Sequence, residues 1–156
     1  MGVSGSGKST LGYALAHKLG WDFFDADDFH PPENIAKMAA GIPLSDVDRA
    51  PWLAALNERI LSVRESGRHP VLACSALKEK YRDQLLKGTE GMAILYLKGS
   101  YELIWSRMSM RRGHYMKPEL LQSQFDTLEE PGDAFVLDAA VPLEDMIDTI
   151  TTKFFS

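Results

Sequence analysis

Residues 1–10 read MGVSGSGKST, and this stretch decides the fold. Gly2, Gly7, Lys8 and Ser9 fit the spacing G-x-x-x-x-G-K-[ST] of a phosphate-binding loop. Glycine at positions 2, 5 and 7 lets the backbone turn through positive φ and approach a polyphosphate closely. The turned backbone of residues 2–10, with Ser4, Ser6 and Thr10 among them, aims successive N–H groups at one point at the start of a helix. Lys8 adds a point charge on the β- and γ-phosphates, and the Ser9 hydroxyl a ligand for Mg²⁺. The competing reading, a flexible Gly/Ser-rich terminus, is disfavoured by the helix-like run that follows. Such a loop ordinarily follows a buried strand, whereas here Met1 stands directly before Gly2. The expectation is therefore a sheet whose first strand is absent from this chain, and a protein that is poorly stable or inactive when made as written.

The length of 156 residues suits a single domain, residues 1–156. A net charge of −5 argues against a general nucleic-acid or membrane-surface binder, yet leaves room for a local cationic pocket. Cys74 is the only cysteine, which excludes an internal disulfide and a thiolate zinc cluster. Its apolar setting, VLACSAL, suits a buried small hydrophobe. No apolar run approaches the length of a membrane span and no signal peptide precedes the motif, so a cytoplasmic protein is expected.

Periodicity predicts a helix over residues 8–19 with Gly20 as its stop, a strand over 21–24 ending in the acids DADD, and a short helix over 32–40. Pro51 is expected to open a longer helix that stops at Gly67. Strands follow at 71–74, 92–97 and 135–137, separated by helices at 78–86, 101–111 and 118–128, with a closing helix at 142–154. Alternating strands and helices imply an α/β protein with a covered parallel sheet. Ligands of such sheets bind beyond the C-terminal strand ends, the edge that gathers the loop, Asp25, Asp27 and Ser75.

No guanine-reading N-K-x-D pattern occurs, and the two asparagines, Asn34 and Asn57, do not supply one. A compact phosphotransferase with a small acceptor fits the remainder. Transfer to an alcohol needs Mg²⁺, an orienting or basic group for the hydroxyl, and cations around the moving phosphoryl group. Asp25 and Asp27 alternate along an extended chain, so one faces the metal and the other the acceptor; Asp28 reads as solvated. Arg107, Arg111, Arg112, Gly113 and His114 read as a lid over about 107–118, whose arginines neutralise transition-state charge. Arg49, Lys78, Arg82 and His30 suggest a cationic, hydrogen-bonding pocket for a polyol that carries a carboxylate. His17 and His69 read as structural.

Four segments narrow the choice: DADDFHPPENIAKMAAGIPLSDVDRAPWL, ACSALKEKYRDQL, RMSMRRGHYM and LLQSQFDTLEEP. Together with the loop they resemble the gluconokinases, small kinases of the shikimate-kinase-like and nucleoside-monophosphate-kinase-like group. The resemblance implies a P-loop fold with a five-stranded parallel sheet in the order 2-3-1-4-5 and a small lid. It implies transfer of the ATP γ-phosphoryl group to the 6-hydroxyl of D-gluconate. Lys8, Asp27 and Arg111 would then be catalytic. Gly2, Ser4, Gly5, Ser6, Gly7, Lys8, Ser9, Thr10, Arg107 and Arg111 would hold ATP, and Ser9 and Asp25 the Mg²⁺. Asp27, His30, Arg49, Lys78, Arg82 and Gln124 would bind gluconate. Ser75 would close the strand that carries a second metal-associated motif, and adenine would lie near Pro142. A homodimer is implied as well. A kinase for another hydroxy acid such as shikimate, and a regulatory nucleotide binder without turnover, stand as alternatives.

Overall fold

The computed structural model describes residues 1–110 and 118–155. Helix α1 (Lys8–Leu19) leaves the loop and stops at Gly20, and β1 (Asp22–Asp25) follows. A 3₁₀ turn, Ala26–Phe29, leads to α2 (Pro32–Ala39) and then to α3 (Asp46–Glu65). Next come β2 (Pro70–Ala73), α4 (Glu79–Leu86), β3 (Leu95–Lys98) and α5 (Tyr101–Ser109). After the undescribed segment come α6 (Pro118–Thr127), β4 (Phe135–Asp138) and α7 (Leu143–Phe155).

Two boundaries differ from the sequence reading by three residues or more, the others by one or two. Helix α3 starts at Asp46 rather than at Pro51, because Ser45 and Asp48 form a capping box. The Asp48 N–H donates to Ser45 Oγ at 3.2 Å, and the Ser45 N–H donates to Asp48 Oδ2 at 2.8 Å. Pro51 therefore sits inside the helix, where it forgoes one bond of the ladder. Strand β3 starts at Leu95 rather than Met92, since Met92 still belongs to a turn, its N–H donating to the Thr89 carbonyl at 3.3 Å.

The strands pair in parallel, β1 with β2 and β3 with β4. Met1 and Gly2 lie between the pairs. The Met1 amino group donates to the Leu95 carbonyl at 2.5 Å and the Leu97 N–H to the Met1 carbonyl at 2.9 Å. On the other side the Gly2 N–H donates to the Ser75 carbonyl at 3.3 Å. The spatial order is the one expected, with two residues in the place of the first strand. The sheet accordingly forms as two two-stranded pairs rather than as one five-stranded sheet.

Three apolar clusters hold the layers together. One joins α3 and α4 to the chain just after β2 through Leu53, Leu56, Cys74 and Leu85, and a second joins α1, β3, β4 and α7 through Leu11, Leu15, Leu97, Leu137 and Ile147. The third sets Val3 of the loop against Ile104 and Met108 of α5 and Leu121 of α6.

Between β2 and β3 lies a cavity of about 500 Å³, lined by Leu11, Leu15, Ile60, Val71, Leu97 and Ile150 among others. A short run of β-branched residues joined ahead of Met1 is expected to pair with both strands and fill it. Several ladder bonds at ~1 kcal/mol each would raise the melting temperature by roughly 10 °C. Superimposable melting curves for the two proteins would count against this account of the cavity.

Candidate active site

The loop owes its shape to two glycines in particular. Gly2 has φ 145°, and a Cβ there would stand 2.7 Å from the Leu97 carbonyl oxygen. Gly5 has φ 79°, and a Cβ there would meet Met108 Cγ at 2.6 Å. Side chains are therefore excluded both by conformation and by space. Gly7 precedes α1 without any side-chain cap, and the first turn of α1 holds no acidic residue. The amides at this helix start thus remain available to an anion, and the macrodipole favours negative charge there.

Lys8 lies within this turn, its Nζ donating to the Val3 carbonyl at 2.9 Å. Desolvation pulls the Lys8 ammonium below its ordinary range, against opposing influences from Cys74, Asp27 and Asp25. Burial pushes the Cys74 thiol up to about 11, so it is neutral at pH 7 and the two carboxylates supply the opposing charge. The Ser6 hydroxyl is buried without a hydrogen-bond partner among the described residues, so it points under the loop rather than outward. Thr10 is exposed on α1.

The acidic turn closes on the loop. Ser9 Oγ donates to Asp25 Oδ2 at 2.5 Å, and the Asp27 N–H donates to Asp25 Oδ1 at 3.1 Å. Asp25 thereby caps the 3₁₀ turn and presents that turn, with Asp27 in it, beside Lys8. Trp52 fixes the turn from below, its Nε1 donating to the Ala26 carbonyl at 2.8 Å. A hydroxyl and a carboxylate in contact are hard oxygen donors. They suit Mg²⁺, which takes few protein ligands and completes its shell with water and phosphate oxygens. Among the described residues there is no cluster of three or more His, Cys, Asp or Glu that would cage a metal on its own.

The expected acceptor residues gather around two aromatic rings. His30 stacks on Trp52 with centroids 4.2 Å apart and an interplanar angle of 12°. Desolvation lowers its pKa, Asp27 raises it and Arg49 lowers it, so all three share one electrostatic neighbourhood. Buried Asn34 lies 3.4 Å from His30 Nδ1 and donates to the Asp48 carbonyl at 2.9 Å. The second ring, Tyr81, has Arg49, Lys78 and Lys80 within 5.5, 5.7 and 5.8 Å of its centroid. Arg49 Nη1 donates to the Leu44 carbonyl at 2.5 Å, and the Tyr81 hydroxyl donates to Asp46 Oδ1 at 2.5 Å. Asp46 also pairs with Lys80, and more loosely with Lys78 at 3.8 Å.

Asp46 and Asp48 carry a pH signature. The Lys80 and Tyr81 hydrogen bonds hold Asp46 at about 2, and Lys37 with Ser45 holds Asp48 at about 2, against an ordinary 3.8. A carboxylate whose folded pKa is depressed contributes stability above its unfolded pKa and loses it as pH falls through the folded one. Stability is thus expected to fall between about pH 4 and pH 2. Chemical denaturation of the Asp46→Asn/Asp48→Asn double variant should show a flatter profile over that window; an unchanged profile would refute the assignment.

Other expected residues fall elsewhere. Arg82 is buried, with Nη1 donating to the Ala76 and Leu77 carbonyls at 3.0 and 3.3 Å. It braces the loop after β2, where Ala76 holds a φ of 45°. Gln124 sits on α6 with its amide turned to Ser4 of the phosphate loop. Ser75 meets the loop through its carbonyl. Arg107 lies in the last turn of α5, and Pro142 just ahead of α7. Arg111, Arg112, Gly113 and His114 lie outside the described residues. The sequence reading missed Trp52, Asn34, Asp46 and Tyr81. The pattern S-x-x-D at Ser45–Asp48 was the available signal for one wall of the pocket.

Residues 4–133 match the shikimate kinase family. The chain is 46% identical over 151 residues to the thermoresistant gluconokinase of Escherichia coli, covering 94% of this chain and 86% of that one. It is 51% identical over 148 residues to a probable gluconokinase of Mus musculus, covering 84% and 80%. The crystal structure of a gluconokinase from Sinorhizobium meliloti superposes with a TM-score of 0.84 at 48% identity, covering 95% of this chain and 85% of that one.

Proposed function

The chain belongs to the gluconokinases, within the shikimate kinase family, and from that premise we propose how its own residues move a phosphoryl group from ATP to the 6-hydroxyl of D-gluconate. The observation that carries the reading is the contact of Ser9 with Asp25, which brings the acceptor-facing turn of Asp27 against the phosphate loop.

In this reading the amides of Gly5 and of residues 7–10, with the Lys8 ammonium, hold the β- and γ-phosphates. Asp27 accepts a hydrogen bond from the 6-hydroxyl and takes its proton as that oxygen bonds to the γ-phosphorus. The bond from the γ-phosphorus to the β–γ bridging oxygen breaks as the new one forms, and ADP leaves with its charge offset by Lys8. Ser9 and Asp25 are the residues that would hold Mg²⁺, which when bound neutralises phosphate charge. Lys78 and Arg49, backed by Tyr81 and Asp46, bind the carboxylate end, and His30 on Trp52 a hydroxyl. Arg82 takes part by holding the loop after β2 in shape. Arg107 and Arg111 serve the nucleotide.

No described helix is long and apolar enough to cross a membrane, which is compatible with a cytoplasmic enzyme. Resemblance to the family supports a homodimer, which sedimentation would read directly. A coupled ADP-release assay across sugar acids tests the activity. Saturable gluconate turnover with a KM below about 1 mM is expected. Turnover of shikimate, with none of gluconate, would overturn the substrate assignment.

A further inference from the structure

The phosphate loop is fixed from the side of α5 and α6 at three consecutive residues. Val3 is buried against Ile104, Met108 and Leu121, and Gly5 abuts Met108. Between them Ser4 is gripped at two points by Gln124 of α6. The Ser4 N–H donates to Gln124 Oε1 at 2.7 Å, and Gln124 Nε2 donates to Ser4 Oγ at 2.9 Å. The reverse orientation of the amide would set Nε2 against the Ser4 N–H, so only this one satisfies both contacts. A carboxamide accepts and donates through two separate atoms without carrying charge, and neutrality matters beside a triphosphate.

We propose that Gln124 is a positioning residue for the nucleotide: its carboxamide ties Ser4 to α6 and keeps the phosphate loop in the shape that receives the triphosphate. This differs from the gluconate contact expected from the sequence, and it rests on the kinase reading of the loop. Gln124 does not touch the phosphates in this proposal; it acts through the Ser4 backbone. Ser4 and Gln124 are 120 residues apart in sequence, so the contact is a tertiary one.

The test uses the full chain carrying Gln124→Met, Ser4→Ala, or both. Calorimetric titration with magnesium and a non-hydrolysable ATP analogue, without gluconate, reads nucleotide affinity alone. Gln124→Met is expected to weaken the analogue about tenfold and Ser4→Ala about threefold. The double variant should bind no more weakly than Gln124→Met, because both changes remove one shared contact. Steady-state kinetics should show a raised KM for ATP with kcat and the gluconate KM within about twofold of the parent. Undiminished analogue binding by Gln124→Met, additive losses in the double variant, or a rise confined to the gluconate KM would each overturn the proposal. Should Gln124→Met fail to fold by circular dichroism, Ser4→Ala alone decides, since unweakened nucleotide binding there also overturns it. The titration needs no acceptor, so a parent protein that bound the analogue but left gluconate unphosphorylated would refute the substrate assignment without touching this one.

Discussion

Asp27→Asn is expected to lower kcat by about 10²–10⁴-fold while leaving the affinity for magnesium–ATP within about threefold of the parent. The Asp27 backbone is fixed by its N–H bond to Asp25, so the amide variant keeps the turn and loses only the group that takes the proton. Asn still donates and accepts hydrogen bonds but is not basic, so the loss falls on the chemical step rather than on binding. Stopped-flow or steady-state turnover at saturating ATP and gluconate, paired with nucleotide calorimetry, separates the two. A variant that turns over at half the parent rate would remove Asp27 from the reaction.

The second large effect is at Lys8. Replacement by Met keeps most of the aliphatic stem and removes a desolvated charge that, in the proposed reaction, meets the phosphates. Preorganised electrostatic donors of this kind are worth about 10²–10³-fold when removed singly, and kcat/KM for ATP should fall by at least that. Lys8 is also partnered by the Val3 carbonyl, so Lys8→Met leaves that carbonyl without its donor and a modest loss of melting temperature accompanies the kinetic one. If kcat/KM moved by less than about fivefold while the protein remained folded, the phosphate-binding role of Lys8 would be refuted.

Much of the fold was legible because the chain is punctuated by residues whose local physics is unambiguous. Gly20 ended α1 and proline opened α2 and α6 where the pattern put them. Pro51 misled because a proline early in a helix and a proline opening one look alike in sequence; the capping box at Ser45 and Asp48 decided between them. The position of Asp25 and Asp27 was legible for a different reason. Both fall at the sheet edge where ligands of such folds bind, but Asp25 ends β1 and Asp27 lies in the 3₁₀ turn that follows, so the turn and not alternation along an extended chain sets the two carboxylates apart. Tyr81 and Asp46 were not legible, because their meaning comes from each other. They belong to different helices, and only packing brings the phenol and the carboxylate to 2.5 Å. Gln124 was named for its place in a resembling segment, but its partner lies 120 residues away, and nothing local announces that partner. Arg82 read as a ligand cation because a guanidinium near an active edge is usually free to bind; here its Nη1 is engaged by two carbonyls.

The central claim is that the loop and Asp27 bring one particular hydroxyl of one sugar acid into line with the γ-phosphorus. Phosphorus–carbon coupling in the NMR spectrum of the product made from uniformly ¹³C-labelled gluconate and ATP tests it most directly. The account predicts a phosphate ester on C6 alone, formed with equal release of ADP. An ester on any other carbon, or ADP release without an ester, would contradict it.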